Sequence, residues 1–188
     1  MTHRRRLLAG LAEAIAERPY PEVTVADIVR LARTSRRTFY ENFSDKQECL
    51  VALIEESHRQ VVVKIADAVD EAAPWRTQVH QAIQAWIDAV ASDPGTTLNW
   101  IRIVPALGSD ARMLLRGTLA AYGDLIGRLA GGRAFIAAGV AVPSPQATTM
   151  LLGALRELIA TTVEDGDDVK SIVDVAAAFT IRVLAPET

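Results

Sequence analysis

The sequence is poor in the residues that build disulfides and metal centres. Of its 188 residues, one is a cysteine and three are histidines. A single thiol cannot form an intramolecular disulfide, which fits a reducing cytoplasm. Cys49 stands beside Leu50 and near Leu53 in an apolar-periodic stretch. We therefore expect it to be a small packing residue in a cytoplasmic protein, not a nucleophile.

The histidines are too few for the di-metal site that some helical bundles contain. Residues 55–58 hold one Glu-x-x-His pair, whereas a ferritin-like di-iron site needs that pair twice and two further glutamates. Neither His3 nor His80 has a glutamate three residues before it. The sequence also lacks a glycine-rich phosphate loop, a cysteine pair and a nucleophile elbow. We expect no metal, no cofactor and no enzymatic activity.

Long hydrophobic runs are missing as well. The most apolar stretch, near 129–142, is interrupted by Arg133 and several glycines, so we expect no membrane association. Residues 4–6 are arginines followed by an apolar stretch, as in a signal peptide. Glu13 and Glu17 interrupt that stretch, and its apolar residues fall at helical spacing. The pattern predicts an amphipathic first helix instead.

Charge is distributed unevenly along the chain. Residues 1–46 contain nine lysines and arginines against six acidic residues, whereas 47–188 contain eleven against seventeen. A basic head on an acidic body suits a protein that meets nucleic acid with one end only. We predict a DNA-binding domain at 1–46 and a helical domain at 47–188.

Residues 24–46 contain three helix starts at about ten-residue spacing. The expected caps are Thr24 with Asp27 three residues on, Ser35 before Arg36, and Ser44 with Gln47. Small oxygen-bearing side chains accept hydrogen bonds from the unpaired N–H groups of a first helical turn. The pattern predicts helices near 25–32, 36–42 and from 44 onward. Two short helices joined by a three-residue turn are typical of a helix-turn-helix DNA reader.

The second of these helices has the chemistry of a recognition helix. Phe39 and Phe43 are four residues apart and share one face, which can pack against the preceding helix. The remaining faces carry polar side chains: Arg36, Arg37, Thr38, Tyr40 and Glu41. Arginine can bond guanine edges in the major groove, and hydroxyl groups suit phosphates. An ordinary solvated surface helix is the alternative.

Residues 7–54 resemble the N-terminal domain of the TetR family of bacterial transcriptional regulators. An apolar first helix precedes Tyr20; then come TVADIVRLA, a turn ending in Ser35, and TFYENF followed by SDKQECLVAL. The resemblance rests mainly on five residues at specific spacings: Thr38, Phe39, Tyr40, Phe43 and Lys46. The resemblance covers about a quarter of the chain, because the family's C-terminal part is too variable to match by motif.

The resemblance implies roles for six side chains of the head. Those expected at phosphates are Thr24, Tyr40 and Lys46; those expected at base edges or the adjacent backbone are Arg36, Arg37 and Thr38. The arginines at 4–6 can also lie against the DNA backbone or in a minor groove, as basic arms do.

Two positions depart from the family pattern. Arg33 stands where the family usually has a glycine, so the turn requires a positive φ at a non-glycine residue. Glu41 lies on the reading face, where it repels phosphate unless it accepts from a cytosine amine. These departures are the only hints for an alternative function, a helical ligand-binding or protein-interaction module whose degenerate head recognises no specific operator.

The rest of the chain predicts helices only. Apolar residues recur every three or four positions from Ser44 with no helix breaker before Pro74, and the later segments show the same periodicity. No strand-like alternation or internal repeat is visible, and the course of 133–143 stays open. We predict an all-α protein of about nine helices, a three-helix helix-turn-helix head with a C-terminal helical ligand-binding and dimerisation body.

The last two helices are apolar over more than one stripe, which predicts self-association. By resemblance, the two C-terminal helices of each subunit form a four-helix bundle, and such a homodimer would recognise a palindromic operator in double-stranded DNA. The expected interface residues are Leu151, Leu155, Ile172, Ala176, Phe179 and Val183. A wide internal core is the alternative.

A small-molecule effector is also implied by the resemblance, because many family members bind one between their middle helices. Large aromatic side chains with a few polar groups suit such a pocket, and the candidates are Trp86, Trp100, Met113, Tyr122 and Arg156. Simple core packing is the alternative for each. The predicted function is a sequence-specific DNA-binding regulator, a repressor that an unidentified effector releases by shifting its conformational population.

Overall fold

The computed structural model describes residues 2–103 and 109–186, except for the side chains of 109–112. These residues contain ten α-helices and no strand, which confirms the all-α prediction. The helices are α1 (His3–Glu17), α2 (Val25–Leu31), α3 (Arg36–Tyr40), α4 (Lys46–Ala68), α5 (Trp75–Ser92), α6 (Pro94–Leu98), α7 (Ser109–Ala130), α8 (Arg133–Ala137), α9 (Pro145–Glu164) and α10 (Val173–Leu184). Short 3-10 helices occur at Tyr20–Glu22 and Val169–Ile172, and a π-helix at Asn99–Ile103.

The chain forms two compact units. The first consists of the described parts of Met1–His58 and Gly95–Leu115, and the second of those of Arg59–Pro94 and Arg116–Thr188. The division falls within α4, after His58, and the first unit includes a second stretch of chain. The domains predicted from the sequence, 1–46 and 47–188, are defined by function and not by compactness. That division stays a prediction.

The caps of the head explain where its short helices begin. The Thr24 hydroxyl accepts from the Asp27 N–H at 3.2 Å while the Asp27 carboxylate accepts from the Thr24 N–H at 3.0 Å, which completes a capping box. Ser35 accepts from the Thr38 N–H at 3.0 Å and begins α3. Both caps confirm the sequence prediction. At α4 the cap is displaced by one residue from the expected Ser44, because the Asp45 carboxylate accepts the Glu48 N–H at 2.8 Å.

The core of the first unit fixes α3 against α1 and α2. Phe39 is fully buried and Phe43 nearly so, their ring centroids 5.8 Å apart, as their shared helix face predicts. Other fully buried members of this core are Leu7, Leu11, Ile28, Leu50 and Cys49. Gly10 allows α1 and α2 to approach closely, since a Cβ there would lie 2.7 Å from the Ile28 carbonyl oxygen. The helix α3 is therefore held by its apolar face.

The second unit has its own core, around the buried side chains of Ile65, Tyr122, Leu125 and Leu152. Here α10 packs mainly on α5. The Ser144 hydroxyl caps α9, and Pro145 occupies its first helical position, where the missing N–H of proline costs nothing.

The long helix α4 ends at Ala68, so the apolar periodicity that begins after Ser44 does form one continuous helix, as predicted. The same apolar periodicity also predicts a helix from about Thr97 to Leu107, followed by Gly108. The structure forms α6 and the π-helix Asn99–Ile103 here, and Leu107 and Gly108 lie outside the described residues. The open segment at 133–143 contains the short helix α8, whose buried Phe135 packs on the Trp75 ring at 5.7 Å.

Candidate nucleic-acid interface and apolar cavity

The candidate reading surface is formed by the exposed side of α3. Arg36, Arg37 and Glu41 are exposed, and Tyr40 keeps 59% of its surface accessible. The Tyr40 ring meets the buried Phe39 ring edge-on at 5.3 Å, so its position is fixed although its hydroxyl faces solvent. The helix presents two guanidinium groups and a phenol on a rigid support.

A charged pair organises the middle of this surface. Arg37 donates from Nε to Oε1 of Glu41 at 2.9 Å, one helical turn away. The guanidinium is therefore oriented by Glu41 although its side chain is 89% exposed. The acidic residue that departs from the family pattern has a partner within the helix.

Thr38 lies half-buried at the start of α3. Its hydroxyl is 2.9 Å from the Ser35 hydroxyl, and its backbone carbonyl accepts from the Asn42 side chain at 2.8 Å. Thr24 is exposed, but its hydroxyl donates to Asp27 at 2.6 Å. The two hydrogen bonds from Thr24, followed by Arg18 and Arg30, hold the pKa of Asp27 below its usual value. Both threonines therefore support helix starts.

Lys46 is the predicted phosphate contact whose surroundings differ most from expectation. Its Nζ donates to the carbonyl oxygens of Tyr20 at 3.0 Å, Pro21 at 3.4 Å and Val23 at 2.6 Å. It also lies 4.3 Å from the centroid of the Tyr20 ring, and burial lowers its pKa. An ammonium group has three N–H donors, and all three point to the protein backbone. Lys46 fastens the segment before α2 to the first turn of α4.

Arg6 is one of the three arginines expected to lie near DNA, but its side chain contacts the protein backbone. Its guanidinium donates from Nε and Nη2 to the Ala32 carbonyl at 3.0 and 2.7 Å, and Nη2 also contacts the Arg33 carbonyl. Arg33 has φ +49°, which confirms the strained turn predicted from the missing glycine. The sequence could not show which of the three consecutive arginines turns towards the protein. In the structure, the Arg4 guanidinium lies 5.4 Å from the centroid of the Phe43 ring, and Arg5 is exposed.

The second unit contains an apolar cavity of about 80 Å³. Side chains from α4, α5, α7, α8, α9 and α10 line it: Ile65, Val79, Ala82, Ile83, Trp86, Tyr122, Leu125, Ile126, Leu129, Ala130, Phe135, Leu151, Leu152, Leu155, Thr180 and Leu184. None of these residues is charged. Burial raises the pKa of Tyr122 well above its usual value, so its hydroxyl stays protonated. The cavity suits a hydrocarbon surface far better than an ion.

Two of the five predicted effector residues line this cavity. Trp86 and Tyr122 do, with their ring centroids 5.5 Å apart. Trp100 lies instead in the first unit, buried edge-on against His58 at 4.3 Å. Met113 is 67% exposed, and Arg156 is half-buried outside the cavity lining.

The predicted interface residues divide into two groups. Phe179 and Val183 are exposed to about two-fifths of their surface. The others are buried within their own unit: Leu151, Leu155, Ile172 and Ala176. Helical spacing could not distinguish these groups, because α10 is apolar on both its inner and its outer face. Val175 of α10 and Met150 of α9 are further exposed apolar side chains.

None of the described helices is long and apolar enough to cross a membrane. Among the residues that the structure describes, no cluster of three or more histidine, cysteine, aspartate or glutamate side chains could hold a metal ion.

The comparison with protein families matches the head. Residues 7–53 fit the family model described as bacterial regulatory proteins, tetR family. No curated protein matches the sequence significantly.

Solved structures with the same fold cover nearly the whole chain. The fatty acid degradation regulator FadR from Bacillus halodurans is 18% identical, with a TM-score of 0.81 over 97% of this chain and 95% of that one. A transcriptional regulator FadR from Bacillus subtilis, solved with stearoyl-CoA, is 17% identical, with a TM-score of 0.80 over 98% and 99%. A regulatory protein of the tetR family from Rhodococcus RHA1 is 14% identical, with a TM-score of 0.73 and full coverage of both chains.

The match to the family model is confined to residues 7–53, whereas the similarity of fold to the solved structures covers nearly the whole chain. The described parts of the chain therefore have the fold of solved bacterial transcriptional regulators, and residues 7–53 match the family model of the tetR family.

Proposed function

We propose that the protein is a cytoplasmic, homodimeric repressor that leaves a palindromic operator when an apolar small molecule fills the cavity of its second unit. The observation that carries this proposal is the cavity itself, which is lined by uncharged and almost wholly hydrocarbon side chains. Entry of a hydrocarbon group into such an apolar cavity is favourable, because apolar surface is removed from water.

The effector class follows from the lining. Ile65, Leu125 and Leu152 offer aliphatic surface, while Trp86 and Tyr122 add aromatic faces. A fatty acyl chain matches this surface, and the regulator from Bacillus subtilis was solved with stearoyl-CoA. Since no cation lines the cavity, the polar head of such a ligand would be bound by other residues. The effector lowers operator affinity only by its differential affinity for the two conformers.

Selection of binding sites from random duplex DNA tests the operator. We expect a palindromic consensus whose affinity falls steeply with salt, because several phosphate contacts release counterions. Weak binding without a consensus would favour the alternative, a helical ligand-binding module with a degenerate head.

Release from the selected operator tests the effector. Saturated fatty acids and acyl-CoA esters of increasing chain length are titrated against a labelled duplex, and longer chains should dissociate the complex at lower concentration. In Ala82→Phe the new ring occupies the cavity, so release should be lost while DNA binding remains. Ala120→Phe is the matched control, because it adds the same ring at an exposed position of α7. Equal release in both variants would place the effector elsewhere.

The exposed outer face of α10 supports the dimer. Val175, Phe179 and Val183 form a stripe of exposed apolar side chains at helical spacing. Phe179→Asp should convert the dimer into a monomer in analytical ultracentrifugation and weaken operator binding. Asp174→Asn, also exposed on α10, should leave the dimer intact.

A further inference from the structure

We propose that Arg6 is a positioning residue of the DNA reader, which holds the turn between α2 and α3 in the backbone conformation that a glycine would otherwise supply. The proposal concerns a residue of the first helix that itself faces the protein. Its effect on DNA is exerted through the turn and the start of the reading helix.

The contacts of Arg6 join residues that are 26 and 27 positions apart in sequence. Ala32 directly follows α2 as its C-cap, and its carbonyl is one of those that a helix C-terminus leaves without an intrahelical donor. Arg6 supplies two N–H groups to that oxygen, at 3.0 and 2.7 Å, and its Nη2 reaches the next carbonyl, of Arg33. A cation at this end of the helix is also favoured by the helix dipole.

The turn needs this support because of its backbone. Arg33 has φ +49°, in the left-handed region that glycine adopts at no steric cost and other residues adopt only when their surroundings enforce it. The remaining turn bonds are the Arg33 N–H to Arg30 at 3.1 Å and the Thr34 N–H to Val29 at 2.9 Å. Ser35 follows directly and caps α3. A rotation of the peptide groups at 32 and 33 would therefore change the direction in which α3 leaves the turn.

The close approach of α1 and α2 also restricts the position of Ala32, on the side opposite the Arg6 side chain. The space next to Gly10 is filled by the Ile28 oxygen and the Ala32 N–H, so Ala32 is held between the α1 backbone and the Arg6 side chain. The guanidinium group lies half-buried beside it. Its Nε and Nη2 are engaged by the turn, which distinguishes it from the exposed Arg5.

A double-mutant cycle tests the proposal. Operator affinity is measured across a salt series for Arg6→Gln alone, for Arg33→Gly alone and for both together, with the selected operator as probe. Arg6→Gln should weaken operator binding tenfold or more in the wild-type background, with the slope of log affinity against log salt unchanged. In the Arg33→Gly background the same change should cost less than threefold, because glycine adopts the positive φ unaided. Comparing Arg6→Gln within each background cancels the lost charge of Arg33.

The rival role for Arg6 is a phosphate contact, and it predicts different results. Loss of one phosphate contact would reduce the salt slope by about 0.9, and Arg33→Gly would not restore the affinity. Either result would overturn the proposal. Arg5→Gln is the control, since this exposed neighbour should show no coupling to Arg33. If Arg6→Gln fails to fold, Arg6→Lys replaces it in the same cycle, because lysine keeps the charge but lacks the planar fork; equal losses in both backgrounds would then refute the proposal.

Discussion

Arg37 and Glu41 form a hydrogen-bonded ion pair along the exposed side of α3, with 2.9 Å between Nε and Oε1. The bond uses one edge of the guanidinium, and both Nη groups are without a partner among the described residues. Two parallel N–H groups are what a guanine requires at O6 and N7 in the major groove. In the proposed function, Glu41 therefore orients Arg37 for an end-on contact with a base.

Replacing Glu41 should affect specific and non-specific binding in opposite directions. In Glu41→Ala, affinity for random duplex should rise, because a negative charge near the phosphates is lost. Preference for guanine at the base pair that Arg37 contacts should fall, because the guanidinium loses its orientation. Arg37→Ala should cost about 1–3 kcal/mol on the same operator. Competition binding with single base-pair variants of the operator measures both effects.

Two other possible roles of Glu41 predict different changes in specific and random DNA binding. If it is only a repulsive charge, Glu41→Ala strengthens specific and random binding alike. If it accepts from a cytosine amine, preference changes at another base pair and is independent of Arg37. The double variant Arg37→Ala/Glu41→Ala separates these possibilities, because an orienting role predicts strong coupling between the two positions.

Lys46→Met should lower the free energy of unfolding as well as DNA affinity. The carbonyls of Tyr20 and Val23 would lose their charged donor, and leaving such groups unpaired costs about 1–3 kcal/mol. Urea denaturation measures the stability. The control is Arg36→Met, which removes an exposed charge and should change DNA binding alone. Unchanged stability in Lys46→Met would assign this lysine to phosphate contact only.

Gly10→Ala should destabilise the head by about 1–3 kcal/mol, as expected for overpacking. The added Cβ would lie 2.7 and 2.8 Å from backbone atoms of Ile28 and Ala32, which cannot move without separating α1 from α2. Gly117→Ala is the matched control in α7, where nothing lies within 4 Å and alanine favours the helix by up to about 1 kcal/mol. Thermal denaturation of both variants should give shifts of opposite sign.

Cys49 should resist alkylation in the folded protein. Burial raises the pKa of its thiol from 9.0 to about 12, so the reactive thiolate is scarce near pH 8, and the side chain is inaccessible. The folded state keeps a proton that the unfolded state releases above about pH 9, so this group makes stability fall as pH rises beyond that value. Iodoacetamide labelling followed by mass spectrometry, with and without urea, measures the difference. Rapid labelling without urea would show that the first unit opens locally.

Local signals predicted the head well, because its helices are set by caps and spacing. Thr24, Ser35 and the Phe39–Phe43 pair act within a few residues, and the missing glycine at Arg33 correctly indicated a positive φ. The contacts of Arg6 and Lys46 join positions more than 20 residues apart, so no local pattern contains them. The same reason explains Trp100, whose apolar ring fits a cavity wall or a packed core equally well in sequence.

The buried side chains that hold α3 in place are different from the exposed side chains proposed to contact DNA, and this difference has an evolutionary consequence. Phe39 and Phe43 hold the helix, whereas Arg36, Arg37 and Glu41 contribute nothing to the core. Substitutions at the exposed positions can therefore accumulate without loss of folding. In the proposed function, a copy produced by gene duplication can therefore acquire a new operator through a few codon changes at these positions, while the cavity of the second unit is inherited unchanged.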